Sequence, residues 1–440
     1  MEEHLKRLPQ DIRDLIYAVR DIAECSGVKA YLVGGFVRDL ILGVNNLDLD
    51  IAVEGDGIAF ARILARHFNS GITCHKRFGT AAVMVKPHLK VDIATTRKES
   101  YPEPGSLPVV SGGSLKDDLY RRDFTINTLV ISLNRDNFGC LMDLFGGRED
   151  IRGKKIRVLH DRSFLDDPTR ILRAARFEQR YDFSIEPLTL KCLDSAVKLK
   201  MLLAVEPQRL RDELIPLLKE KEPLKALKRL NALAGLDFID PGLKLTAKTL
   251  RFLESAQEQV NWFDLNLPAR RHLDRWLVYF AGILDGLEEP VISNICRRFA
   301  LRRGDEKRIR EFFHLRDKLL SRLSGRGIRA SSVFHLLEPL SYEIIVLLKA
   351  STGNKQALAN IEKFLHEYNG SRIVLKGNDL NGLGFVPGPH YQKILRKVLN
   401  ARLDGKVKTA REELELVKKI KKQGAAVRGI PVFRSSERKI

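Results

Sequence analysis

Apolar residues at Leu8, Ile12, Leu15, Val19 and Ile22 recur with helical spacing. They predict a helix over 8–25, stopped by Ser26-Gly27. A short strand, Ala30-Tyr31-Leu32-Val33, then runs into Gly34-Gly35, and a short helix is expected from Phe36 to Leu42, ended by Gly43. The next segment alternates strictly. Leu47, Leu49, Ile51 and Val53 share one face of a strand, and Asp48 and Asp50 share the other. Residues 58–68 read as a helix, and 80–85 and 89–94 as strands. Asp92 alternates with Val91 and Ile93 and therefore points away from them.

Between 101 and 114 stand Pro102, Pro104, Gly105, Pro108, Gly112 and Gly113, which predict a mobile loop. Mixed strands and helices continue to about residue 160, and from Asp167 onward the pattern is mostly helical. We therefore expect an α+β head over 1–155, a helical neck over 156–235 and a helical body and tail over 236–440. After Phe433 apolar content is low. The stretch from Lys418 and Lys422 to Arg428, Arg434, Arg438 and Lys439 reads as a loosely ordered basic tail.

Four segments carry candidate chemistry. Asp48 and Asp50, side by side on a strand whose other face is apolar, are carboxylates held rigidly. With Asp92 as a third, they suit Mg²⁺, a hard cation that also takes phosphate oxygens. The competing reading is an ordinary wet strand face. Gly34-Gly35 with Arg38 and Asp39 joins a strand to a helix start, where backbone N–H groups approach phosphate closely. A structural turn is the alternative. A dinucleotide-binding loop fits less well, despite Glu54 standing 20 residues after Gly34, because the G-x-G-x-x-G spacing is missing. In Arg121-Arg122-Asp123-Phe124-Thr125-Ile126-Asn127, two arginines beside an acid grip phosphate and ribose, or form a surface ion-pair cluster.

The fourth segment is Asp166-Asp167-Pro168-Thr169-Arg170, continuing through Arg173 and Arg176. Asp167 reads as a helix N-cap and Pro168 as the first helical residue. One reading is a capped helix with a solvated basic stripe. The other is base selection. Cytosine and adenine both set an amino donor beside a ring-nitrogen acceptor. An Asp accepts from the first, an Arg donates to the second, and guanine and uracil leave both unpaired. One oxygen of Asp167 would cap and the other would meet the base.

Composition narrows the partner. The 440 residues carry 76 Lys and Arg against 56 Asp and Glu, a net charge of +20. That excess points to a polyanion rather than to a neutral substrate. Five dispersed cysteines with no CxxC or zinc spacing suit reduced thiols and a cytoplasmic setting. No apolar run is long enough to cross a membrane, and nothing reads as a signal core.

Taken together and in order over about residues 28–235, the four segments resemble the class II tRNA nucleotidyltransferases. That family includes bacterial CCA-adding enzymes and poly(A) polymerases. Leu32–Asp39 is similar to its opening motif, Asp48-Leu49-Asp50 to its metal-binding DxD, and Arg121–Asn127 to its ribose and triphosphate motif. Asp166–Arg170 is similar to the base-selecting EDxxR, with Asp166 replacing the usual Glu. Glu206-Pro207-Gln208-Arg209 through Glu213 resembles the helix that supports the site. The 379–405 region is similar to bacterial tails.

The resemblance implies a polymerase-β-like nucleotidyltransferase head with a mostly antiparallel or mixed sheet, followed by a mostly α-helical neck, body and tail. It implies Mg²⁺ at Asp48 and Asp50, with Asp92 as third ligand or base. Gly34, Gly35, Arg38, Asp39, Arg121, Arg122, Asp123 and Asn127 would bind triphosphate and ribose; Asp167 and Arg170 would read the base; Arg173 and Arg176 would contact nucleotide. CTP and ATP are the expected substrates and a tRNA acceptor arm the expected partner, without an obligate protein partner. The basic segment 297–310 and the C-terminal tail are candidates for the RNA surface. CC-only addition, A-only addition and poly(A) synthesis remain alternatives. A non-catalytic RNA-binding protein and a Rossmann oxidoreductase are less favoured. The run His75-Lys76-Arg77-Phe78 lacks the longer basic stretch of the poly(A) type and favours tRNA work.

Overall fold

A computed structural model describes residues 5–44, 48–87, 89–267 and 273–426. Leu47 and the basic positions beyond 426 therefore lie outside the described residues. The chain divides into two compact units, Met1–Lys244 and Leu245–Ile440.

The first unit is built on a seven-stranded mixed sheet. In chain order its strands are β1 (Lys29–Val33), β2 (Leu49–Glu54), β3 (Gly71–His75), β4 (Thr80–Lys86), β5 (Leu89–Thr95), β8 (Val130–Ser132) and β9 (Leu141–Met142). They lie in the order β3-β4-β5-β2-β1-β8-β9. Only β2 and β5 run parallel; the other neighbours are antiparallel.

The apolar alternation in β2 fixes its facing. Leu49, Ile51 and Val53 are no more than 1% exposed. On the other face, Ala52 packs with Tyr31, Val33 and Val130 under Leu115 and Leu119 of the Leu115–Tyr120 helix. Asp50 stands on this second face, beyond the end of that cover. Helices Gln10–Cys25 and Gly57–His67 bury Val19, Phe60 and Leu64.

The Pro/Gly-rich stretch expected to be wholly loop is partly ordered as a hairpin. Strands β6 (Arg97–Ser100) and β7 (Val109–Gly112) pair antiparallel, leaving 101–108 as the connection. That connection is anchored. Gly105 N–H donates to Leu165 O at 3.0 Å, and Arg209 Nη1 donates to Gly105 O at 2.7 Å. Beyond it come the helices Arg170–Tyr181, Pro187–Lys198, Pro207–Leu218 and Pro223–Ala234. The 155/156 position falls inside a two-residue strand, Lys155–Ile156, which pairs with Ser184–Ile185.

The second unit is helical. Ala247–Asn266, Arg275–Ile283, Arg303–Leu323 and Tyr342–Ala350 pack around residues such as Leu253, Phe280, Phe312 and Leu347. A smaller cluster, Leu380, Phe385, Val398 and Val417, is formed by the last three helices and the segment joining the first two of them. Among the described residues no single helix is long and apolar enough to cross a membrane. The bent pair Ala330–Leu337 and Tyr342–Ala350 reaches that composition only jointly, across a 114° break, and every residue of Tyr342–Ala350 except Tyr342 is buried.

Candidate active site

The end of β1, the Gly34-Gly35 turn and the edge of β2 open onto a cleft of roughly 1000 Å³. Every residue anticipated from sequence lines it except Asp39, which is fully buried beneath it.

The carboxylates come from two parallel strands. In the β2–β5 register Asp50 stands opposite Asp92, so the alternation that turned Asp92 away from Val91 and Ile93 brings it beside Asp50. Asp48 is exposed at the start of β2. Burial raises the Asp50 carboxyl to about 6; Arg122 opposes the rise, and Asp92 and Asp48 add to it. Asp92 is itself paired with Lys90 at 2.6 Å. Among the described residues no group of three or more His, Cys, Asp or Glu is preassembled as a metal cage. Two hard carboxylates whose mutual repulsion a cation would relieve fit an ion completed by substrate oxygens.

The turn above them requires glycine. Gly34 has φ +71°, and a Cβ there would lie 2.8 Å from Arg122 Nη1 and 3.4 Å from Asp50 Oδ2. The helix Gly35–Leu42 then carries Arg38 and Asp39 inward. Arg38 Nε donates to Asp39 Oδ1 at 2.8 Å and Nη1 to Asn127 Oδ1. Tyr181 Oη donates to the same Asp39 oxygen at 3.0 Å. Asp39 therefore anchors Arg38 from behind.

The Arg121–Asn127 segment forms the opposite wall. Asp123 accepts from Phe124 N at 2.9 Å and from Asn127 Nδ2 at 2.8 Å. Arg173 grips it at 2.7 Å through both Nε and Nη2. Burial alone would raise the Asp123 carboxyl, but Arg173, the Asn127 hydrogen bond and Arg170 hold it well below the usual carboxylate range. Arg121 and Arg122 both bind Asp118, a nearly fully buried acid, at 2.7 and 3.1 Å. Arg122 Nε is buried without a hydrogen-bond partner.

The helix carrying the base-reading candidates starts later than sequence indicated. Arg170–Tyr181 is helical, with Thr169 rather than Asp167 at the N-cap position. The cause is local: Asp167 Oδ1 bonds the N–H and hydroxyl of Thr169 at 3.2 and 2.7 Å, closing a turn before the helix. Arg209 Nη2 reaches the same oxygen at 2.9 Å. All three bonds fall on Oδ1, and among the described residues no protein donor meets Oδ2. Arg170 is nearly buried; its Nη1 donates to Ser163 Oγ at 2.6 Å and its Nη2 to Arg121 O at 2.7 Å. Glu213 joins Arg173 at 3.0 Å and Arg176 at 3.3 Å.

Sequence reasoning missed Glu99 and Tyr101. Glu99 Oε1 accepts from Arg97 at 2.8 Å and Arg121 at 3.1 Å, and Tyr101 Oη donates to Glu99 Oε2 at 3.0 Å. Both line the cleft. An acid alternating with basic Arg97 and Lys98 carried no motif, and only the fold brings it to Arg121.

In the second unit the basic 297–310 segment is divided. Arg297, Arg302, Arg303 and Lys307 are exposed. Arg308 is instead tied to Asp274 at 2.7 Å and to buried Glu343 at 3.1 Å.

Residues 30–157 match the poly A polymerase head domain family. The chain is 38% identical over 412 residues to an A-adding tRNA nucleotidyltransferase of Geobacter sulfurreducens. The match covers 92% of this chain but only 47% of that protein, so this chain spans about half its length. An A-adding tRNA nucleotidyltransferase of Halalkalibacterium halodurans is 30% identical, with 93% of each chain covered. The structure of a Thermotoga maritima CCA-adding enzyme complexed with tRNA superposes with a TM-score of 0.71 at 33% identity, covering 95% of this chain and 98% of that one. With such coverage along its whole length, the chain belongs to the class II tRNA nucleotidyltransferase family.

Proposed function

We propose that the protein transfers nucleotides to the 3′ end of tRNA. The RNA hydroxyl attacks the α-phosphate of CTP or ATP and releases pyrophosphate. One observation carries the reading: paired strand carboxylates, buried Arg38 and half-buried Arg122 face one cleft, with Asp167 and Arg170 at its other wall. Asp48 and Asp50 would hold Mg²⁺, which stabilises charge developing on phosphate and leaving group. Asp92, beside Asp50, is a candidate third ligand or base once Lys90 turns away.

Arg38 and Arg122 face the triphosphate, Gly34 and Gly35 let the backbone approach it, and Asn127 with Asp123 orients the ribose. Arg121 holds the wall between Glu99 and Asp118. Asp167 offers Oδ2 to the exocyclic amino group of the base, while Arg170 donates to the ring nitrogen. Catalysis then comes from positioning and fixed charge.

A narrower reading, addition of the terminal A alone, is favoured by the names of the Geobacter and Halalkalibacterium relatives. The test offers the protein tRNA transcripts ending before CCA, after C and after CC, with CTP and ATP singly and together. Extension only of the CC end by ATP supports the narrower reading. Extension of all three supports full CCA synthesis. No extension with Mg²⁺ present defeats both.

A further inference from the structure

Within this nucleotidyltransferase reading, the cleft contains an aromatic side chain that neither its motif nor the chemistry above uses. Phe177 lies on the cleft wall, 4% exposed. Three guanidinium groups gather around its ring. The central carbon of Arg176 is 4.8 Å from the ring centroid, that of Arg38 5.2 Å and that of Arg173 5.3 Å. All fall within the roughly 6 Å range of a cation–π contact. Arg38 comes from a different helix, so the ring joins two segments of chain.

Tyr181, one turn further along, takes the Arg38 guanidinium at 4.7 Å and lies 5.9 Å from Phe177. Phe124 meets Phe177 edge-on at 6.0 Å and locks the ring from behind.

We infer that Phe177 is a positioning residue whose ring face holds Arg38, Arg173 and Arg176 in register for the phosphates of the incoming nucleotide. The choice of a ring over another acid has a physical basis. A carboxylate placed among these arginines would cancel the charge that a triphosphate must meet. A phenyl face attracts each cation through its quadrupole and carries no net charge. Arg176 needs such a neighbour most. Its Nε is buried without a hydrogen-bond partner, and the acid it meets, Glu213 at 3.3 Å, is shared with Arg173. The contact is also strongest in a dry site, and both Phe177 and Arg38 are nearly excluded from water.

The experiment places mono-, di- and trifluorinated phenylalanine at 177 in the full-length chain. Fluorination drains the ring face and barely changes its shape. Two readouts are taken: the affinity for inorganic tripolyphosphate by calorimetry, and KM and kcat for ATP on a tRNA ending in CC. Thermal midpoints serve as the folding control. The expected result is a stepwise loss of tripolyphosphate affinity, on the order of tenfold across the series. KM for ATP rises in parallel and kcat changes less.

Unaltered tripolyphosphate affinity across the series overturns the inference, as does an absence of tripolyphosphate binding by the wild type. Should the fluorinated chains fail to fold, Phe177→Leu is read in the same binding assay. Wild-type affinity in that variant also overturns the inference. Graded binding without nucleotide transfer would leave the ring's role standing and defeat the nucleotidyltransferase reading. Transfer with a flat series does the reverse.

Discussion

Individual side chains divide into those that face the cleft and those that hold them there. Asp50 belongs to the first group and is costly to the apo fold. Its carboxyl is raised to about 6 by burial and by Asp92 and Asp48, so keeping it ionised at neutral pH disfavours folding. Asp50→Asn is therefore expected to raise the thermal midpoint of metal-free protein while lowering turnover on the order of 10³-fold. Calorimetry and primer extension on one preparation check both.

Asp123 behaves oppositely. Its folded carboxyl lies below the usual range, so its stabilisation is fully present above the unfolded value near 4 and is lost as pH falls through the folded value. Asp123→Asn should destabilise at pH 7, and the gap to wild type in denaturant titrations should narrow below about pH 4. A gap independent of pH would contradict the Arg173 pairing. The alternation of β2 made Asp48 and Asp50 legible in the sequence, and the same rule turned Asp92 the right way. Glu99 was not legible, because Arg121 is 22 residues further on and is reached only through the fold. Asp118 is a local partner, one helical turn before Arg121 and Arg122, and was overlooked because no motif marked it.

At the scale of elements, helix and strand positions followed from apolar spacing, since each buries one face on a common sheet. The expected 30–33, 80–85 and 89–94 strands differ from the observed ones by a residue or so at their ends. Two readings failed for identifiable reasons. The hairpin at 97–112 was hidden by its prolines and glycines, which lie in the connection and at its margin rather than in the strand cores. The N-cap at Asp167 was displaced because Thr169 and Arg209 compete for the same oxygen.

The second failure carries a prediction. Arg209 binds Asp167 with one nitrogen and the 105–106 carbonyls with the other. Arg209→Met should speed amide exchange across 101–108 and weaken discrimination of ATP and CTP against GTP and UTP. Faster exchange with unchanged discrimination would detach the loop from base reading. Gly147 packs against the back of the Arg121–Asn127 wall: a Cβ there would sit 2.3 Å from Thr125 O. Gly147→Ala should cost about 1–3 kcal/mol in denaturant melts.

For the molecule as a whole, the +20 net charge and the exposed arginines around 297–307 suit a partner bound mainly through phosphates. For the proposed tRNA substrate, affinity is expected to fall steeply with salt, as a power of its concentration. Fluorescence titrations between low and physiological salt would measure the slope, and a flat line would argue against a backbone-dominated interface. At this scale the sequence predicts a boundary at 235/236, and the two compact units divide nearby, after Lys244.

The ion pair between Asp123 and Arg173 binds the strand-borne half of the site to the helix-borne half. So do the bond from Tyr181 to Asp39 and that from Arg170 to the Arg121 carbonyl. The candidate metal- and phosphate-binding groups and the candidate base-reading groups are thus interlocked. A chimaera spliced near 155 would sever every one of these ties and should arrive unfolded or inert. One spliced at 244 leaves them intact, so relatives could trade the unit after Lys244 while each keeps its own cleft.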